Sequence, residues 1–110
     1  MMSYQQKMKN LFVVVMLLAW FAAPAWADFD AGMEAYDRGD YATAFREWKP
    51  LAVKGDSLAQ FALGALYNDG QGVLQDFKEA VRWYRLSANQ GNVSAQFQMG
   101  LAYDTGKGVQ

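Results

Sequence analysis

Residues 55–73 and 91–109 are two copies of one pattern set 36 residues apart. Gly55, Ala59, Gln60, Phe61, Gly64, Tyr67, Gly70, Gly72 and Val73 recur as Gly91, Ala95, Gln96, Phe97, Gly100, Tyr103, Gly106, Gly108 and Val109. An internal period of roughly 20–50 residues marks a solenoid, whose units bury their apolar faces only against their neighbours. The recurring residues are packing residues and turn glycines, which points away from an enzyme.

Each unit reads as two antiparallel helices. Asp56 or Ser57 can cap the first helix, and Ser57 with Gln60 has capping-box spacing. That helix runs to about Tyr67, with Ala59, Leu63, Gly64 and Tyr67 on one face and Phe61 broadening it. Gly70 and Gly72 break the helix. Asp76 opens the next one, and Glu79 stands three residues on. Ala80, Trp83, Tyr84 and Ala88 (or Ser87) face inward, and Gly91 ends that helix in the position favoured for a left-handed cap. The mid-helix Gly64 predicts close approach of a bulky ring, from Trp83 or Tyr84.

A degenerate unit comes first. Asp40, Ala44, Arg46, Ala52 and Gly55 match Asp76, Ala80, Arg82, Ala88 and Gly91 at the same offset. The partner of this helix is expected to be short, about Phe29–Asp37, with a tight turn at Arg38-Gly39. Pro50 is expected to bend or end its helix near Lys49. The predicted organisation is a degenerate repeat over 28–55, a complete repeat over 56–91 and an incomplete one over 92–110.

The N-terminus has another character. Lys7 and Lys9 precede thirteen apolar residues, Leu11 to Ala23, followed by Pro24 and Ala25-Trp26-Ala27. That is the layout of a secretory signal over 1–27, cleaved between Ala27 and Asp28. At about 1.5 Å per residue, thirteen residues fall short of a hydrocarbon core of about 30 Å, so no stable membrane span is expected. A periplasmic or secreted location follows.

Lys7 and Lys9 are the only basic residues before Asp28, and all eleven acidic residues come after it. The remainder therefore carries eight basic side chains and a net charge of −3. No basic stripe of a nucleic-acid binder is present. Cysteine is absent, so the domain relies on packing without disulfides. Export without disulfides points to a bacterial periplasm, so Asn92, although part of Asn92-Val93-Ser94, reads as a helix cap rather than a glycan acceptor.

The run from Ala59 through Leu63-Gly64, Tyr67, Gly70, Gly72-Val73, Asp76, Ala80 and Trp83-Tyr84 to Ala88 resembles the Sel1-like repeat, a relative of the tetratricopeptide repeats. The resemblance covers nearly all of 28–110 and implies an α/α solenoid of about two and a half repeats that binds another protein. Ser87 stands where the family usually has alanine. The third unit stops after Gly106-Lys107-Gly108-Val109, before its second helix. Leaving Phe97, Met99, Leu101 and Tyr103 wet forgoes about 1.5–3 kcal/mol for each such side chain. The chain is thus either a truncated piece of a longer array or a protein that covers this face. Self-association through the C-terminal end is the expectation.

With neither histidine nor cysteine, the usual nucleophile–base pairs and most transition-metal ligands are missing. Ser57, Ser87 and Ser94 have no lysine in a Ser-x-x-Lys arrangement. Asp37, Asp40, Asp69, Asp76 and Asp104 lack the density of a calcium loop, and capping explains Asp40 and Asp76. The Gly-x-Gly elements lack the Lys-Ser/Thr of a phosphate loop. No catalytic residue, metal or cofactor is expected. Trp83-Tyr84, Phe61 and Phe97 read as core, and Arg82 and Arg85 as a solvated helix edge. Were the first helix of each unit to line a concave face, its non-core polar residues Gln60, Asn68 and Gln96 would be the binding candidates. The rival the family resemblance brings is a β-lactam-binding or β-lactam-hydrolysing enzyme, a subgroup marked by regular cysteines that this chain lacks.

Overall fold

The computed structural model describes Ser3 and residues 25–110. The leader expected over 1–27 lies outside the described residues up to position 24. Five helices follow in order: α1 (Ala25–Asp37), α2 (Tyr41–Val53), α3 (Ser57–Asp69), α4 (Phe77–Asn89) and α5 (Val93–Thr105). Each is 13 residues long. Helices consecutive in sequence pack against one another, as a solenoid requires.

Side-chain caps set the starts. The carboxylates of Asp40, Asp56 and Asp76 accept from the backbone N–H of Thr43, Ala59 and Glu79 at 3.2, 2.8 and 3.1 Å. Asn92 caps α5 in the same way, accepting from Ala95 N–H at 2.8 Å. Asp56 takes the cap of α3, so the Ser57–Gln60 box does not form and both side chains turn elsewhere. Glu79 likewise forms no reciprocal arm, because it pairs with Arg82.

Two expectations about the first unit are corrected. Its first helix is not short: α1 begins at Ala25, since Ala25, Trp26 and Ala27 contain nothing that resists a helix. Pro50 does not end α2 near Lys49. The helix continues to Val53, and the Lys54 N–H still bonds the Pro50 carbonyl at 3.1 Å. Proline removes its own N–H and crowds the preceding turn, but only one turn remains to be completed beyond it.

The core runs along the seams. Ala44, Trp48 and Ala52 of α2 are buried with Ala59, Leu63 and Leu66 of α3 and Trp83 of α4. The Gly-x-Gly loops are fastened to the preceding unit. A Cβ on Gly72 would lie 2.6 Å from the Tyr41 carbonyl carbon and oxygen, and one on Gly108 would strike the Phe77 carbonyl. Both glycines have positive φ, 73° and 76°, and Tyr41 and Phe77 are themselves 36 residues apart. The loop glycines thus serve backbone contact at the start of the preceding unit's second helix.

Candidate interaction surfaces

The first helix of each unit carries a stripe spaced 4, 3 and 4 residues along its outer face. In α3 the stripe is Ser57, Phe61, Gly64 and Asn68, and α4 covers it. A Cβ on Gly64 would lie 2.6 Å from Cδ1 and Cε1 of Tyr84, so Tyr84, rather than Trp83, fills the glycine's space. Phe61 packs beside that ring at 5.7 Å between centroids. In α1 the same roles fall to Phe29 and Gly32. Phe29 stacks on Trp48 at 5.4 Å, and a Cβ on Gly32 would strike the Trp48 indole. Phe29 and Gly32 precede Phe61 and Gly64 by 32 residues, because the first turn is four residues shorter. A search at a fixed offset of 36 passes over them.

In α5 the stripe is Val93, Phe97, Gly100 and Asp104. Val93 and Phe97 are 76% and 64% exposed, and a Cβ on Gly100 would meet nothing within 4 Å. Phe97, expected among the packed aromatics, is therefore on the surface. Its counterparts in α1 and α3 are covered by a following helix, and α5 has none in the described chain.

Trp83 and Tyr84 are core, each 3% exposed. Burial raises the Tyr84 phenol well above its usual value, and Tyr67 moves the same way for the same reason. The Trp83 face is lined by cations, with Arg82 at 4.3 Å and Lys49 at 5.4 Å from a ring centroid. Arg82 also donates to Glu79 at 2.7 Å, which lowers the Glu79 carboxyl and raises the guanidinium. Asp40 is held below the usual carboxylate range by hydrogen bonds from Thr43. Caps, ion pairs and burial therefore account for these shifts.

Of the three polar candidates, Gln60 is corrected. It is 4% exposed, donates to the Ala52 carbonyl at 3.1 Å and accepts from Gln90 Nε2 at 2.8 Å. Gln96 is exposed and repeats the first of these bonds one unit on, donating to the Ala88 carbonyl at 3.2 Å. The recurring glutamine therefore ties α3 and α5 each to the end of the helix before it. Asn68 is half-buried and lies at a small cleft with Tyr84, Gln98 and Leu101. Ser87 is fully buried and donates to the Ser57 carbonyl at 2.7 Å, with the two hydroxyls 3.0 Å apart. The serine in place of alanine thus closes a polar contact between α3 and α4.

Sequence reasoning missed an apolar concave feature. Phe29, Met33 and Tyr36 of α1, Trp48 of α2, and Leu58, Phe61, Ala62 and Ala65 of α3 line an apolar groove of about 370 Å³. Met33 and Leu58 are 37% and 49% exposed within it. Exposed Asp30, Glu34 and Asp37 form the adjacent stripe of α1, giving the groove one acidic edge. The spacing of Phe29, Met33 and Tyr36 was a signal in the sequence, but a first helix expected to be short and degenerate hid it. No group of His, Cys, Asp or Glu side chains suited to a metal ion occurs among the described residues. No helix there is long and apolar enough to cross a membrane.

The Sel1 repeat family model matches residues 57–92 and 93–110. The chain belongs to the Sel1-like repeat family. A crystal structure of a protective antigen present in uropathogenic Escherichia coli strains, displaying an SLR fold, superposes with a TM-score of 0.71 at 42% identity. That alignment covers 76% of this chain and 19% of the antigen. A Sel1 repeat protein from Oxalobacter formigenes gives 0.70 at 34% identity, covering 76% of this chain and 36% of that one. The Sel1-like chain thus spans between a fifth and about a third of these relatives. A comparison with curated proteins finds no match. Sel1 repeats are protein-interaction modules, and this chain carries their α/α solenoid.

Proposed function

We propose that this chain is an exported, non-catalytic scaffold of the bacterial envelope that binds another protein through the groove between α1 and α3. The groove carries this reading: an apolar floor open to solvent, walled by two first helices and edged by Asp30, Glu34 and Asp37. Water-exposed apolar surface with a polar margin favours a partner that supplies apolar side chains. The acidic edge favours lysine or arginine beside them. Lys7, Lys9, the apolar run and the Ala-Trp-Ala end support export, and cleavage after Ala27 would leave Phe29 and every other groove residue in place.

The test is a cross-linked pull-down from the envelope fraction with the wild-type protein and the exposed-site variants Met33→Glu and Leu58→Glu. The expected result is a partner captured by the wild type and lost with both variants, at unchanged helical content and melting temperature. Capture that persists in both variants would remove the groove from the binding surface.

A further inference from the structure

The two layers of the solenoid differ in charge, and we infer that a second groove, between α2 and α4, docks a polypeptide segment that sets a carboxylate beside an apolar side chain. The first helices α1, α3 and α5 carry six acidic side chains and no basic one. The second helices α2 and α4 carry five basic and two acidic ones. The basic positions recur, since Arg46 and Lys49 precede Arg82 and Arg85 by 36 residues. Between these two helices lies a cavity of about 430 Å³, whose lining includes Lys49 and Val53 of α2, Gln60 of α3, and Arg82, Trp83 and Leu86 of α4. It shares no residue with the groove on α1 and α3, and it is formed entirely within residues 49–86.

The chemistry of the cavity selects its occupant. Lys49 Nζ lies 5.4 Å from a Trp83 ring centroid and 5.5 Å from that of Phe45, and it makes no ion pair among the described residues. An ammonium held over ring faces keeps its charge for a ligand. Arg82 gives Nε and Nη2 to Glu79, which leaves Nη1 unused. Two cations beside one carboxylate leave a single positive charge, and that suits one carboxylate of a partner. A phosphate polymer or an anionic bilayer draws instead on many cations at once. The remaining surface is apolar: Val53 and Leu86 are 68% and 41% exposed over the buried Trp83. An apolar side chain seated there takes both out of water. Lys78 and Arg85 share the stripe of Arg82 on α4, so the surrounding layer steers acidic segments toward the site.

A nuclear magnetic resonance titration tests this, on protein purified after expression of the whole 110-residue sequence. The probes are three blocked tetrapeptides, Glu-Leu-Glu-Leu, Gln-Leu-Gln-Leu and Glu-Ala-Glu-Ala. The first should give saturable shifts of the Val53, Trp83 and Leu86 amides. The other two should bind at least about fivefold more weakly, because each lacks one half of what the site recognises. Lys49→Gln should weaken the first peptide by a similar factor, and Leu86→Glu should abolish its shifts by setting a carboxylate beside the cations. Neither side chain is fully buried, so both variants should keep the wild-type melting temperature. Met33→Glu should leave the titration unchanged, so the two grooves fail or stand separately. The proposal is overturned by the absence of saturable shifts with Glu-Leu-Glu-Leu, by equal binding of Gln-Leu-Gln-Leu, or by undiminished binding to Lys49→Gln.

Discussion

The ring of Tyr84 occupies the space that a side chain at Gly64 would need, with two ring carbons 2.6 Å from the position of an added Cβ. Mid-helix glycine costs about 1 kcal/mol in helix propensity relative to alanine. Here that cost accompanies the closest approach between α3 and α4. Gly64→Leu should therefore overpack the seam and lower stability by about 1–3 kcal/mol, as read by thermal or urea unfolding. An unchanged melting temperature would separate the ring from the glycine.

Gln60 and Gln96 make the same bond one repeat apart, yet only Gln60 is buried. Gln60→Met should cost about 1 kcal/mol, because the Ala52 carbonyl loses its buried side-chain donor. Gln96→Met should stay within about 0.5 kcal/mol, since water replaces the bond. Equal effects in urea unfolding would show that burial does not govern the difference.

Ser87→Ala restores the residue usual at this position in the Sel1-like family, and it should nevertheless destabilise this chain by about 0.5–1.5 kcal/mol. The substitution removes the donor to the Ser57 carbonyl and leaves the Ser57 hydroxyl only its longer bond, 3.4 Å, to the residue-87 carbonyl. Ser57→Ala with Ser87→Ala should recover part of the loss, because the half-buried hydroxyl goes as well. A double-mutant cycle measures that coupling.

Acid stability has a fixed sign. Asp40 and Glu79 both titrate below their ordinary values of 3.8 and 4.5, held there by Thr43 and Arg82. The folded state therefore binds fewer protons than the unfolded chain as the pH drops through that range. Their contribution is present above the unfolded values and lost as the pH falls through the lower folded ones. With no histidine or cysteine in the sequence, the melting temperature should be nearly level from about pH 5 to 8. It should then fall below about pH 4.5, less steeply in Glu79→Gln.

The repeat, the caps and the ring beside Gly64 were legible in the sequence because each rests on local spacing: 36 residues between copies, three between cap and donor, 3.6 per turn. The first unit was legible only in its second helix. Its turn is four residues shorter, so the pair Phe29 and Gly32 slips out of register with Phe61 and Gly64. The groove was missed because it forms between α1 and α3, helices separated in sequence by α2. Gln60 misled for a different reason. A glutamine on a helix surface pattern looks solvated until the end of the preceding helix offers it a carbonyl. Pro50 misled because its cost depends on how many turns follow it.

The most direct test of covered and uncovered first-helix faces is the thermal unfolding of Gly64→Ala beside Gly100→Ala, in dilute protein. Both substitutions gain the same helix propensity, about 1 kcal/mol. Only Gly64→Ala must displace a ring, since nothing lies within 4 Å of a Cβ at Gly100. Gly64→Ala should melt below the wild type and Gly100→Ala above it. Two variants that both melt higher would contradict the packing of Tyr84 on Gly64, and two that both melt lower would contradict the open face of α5.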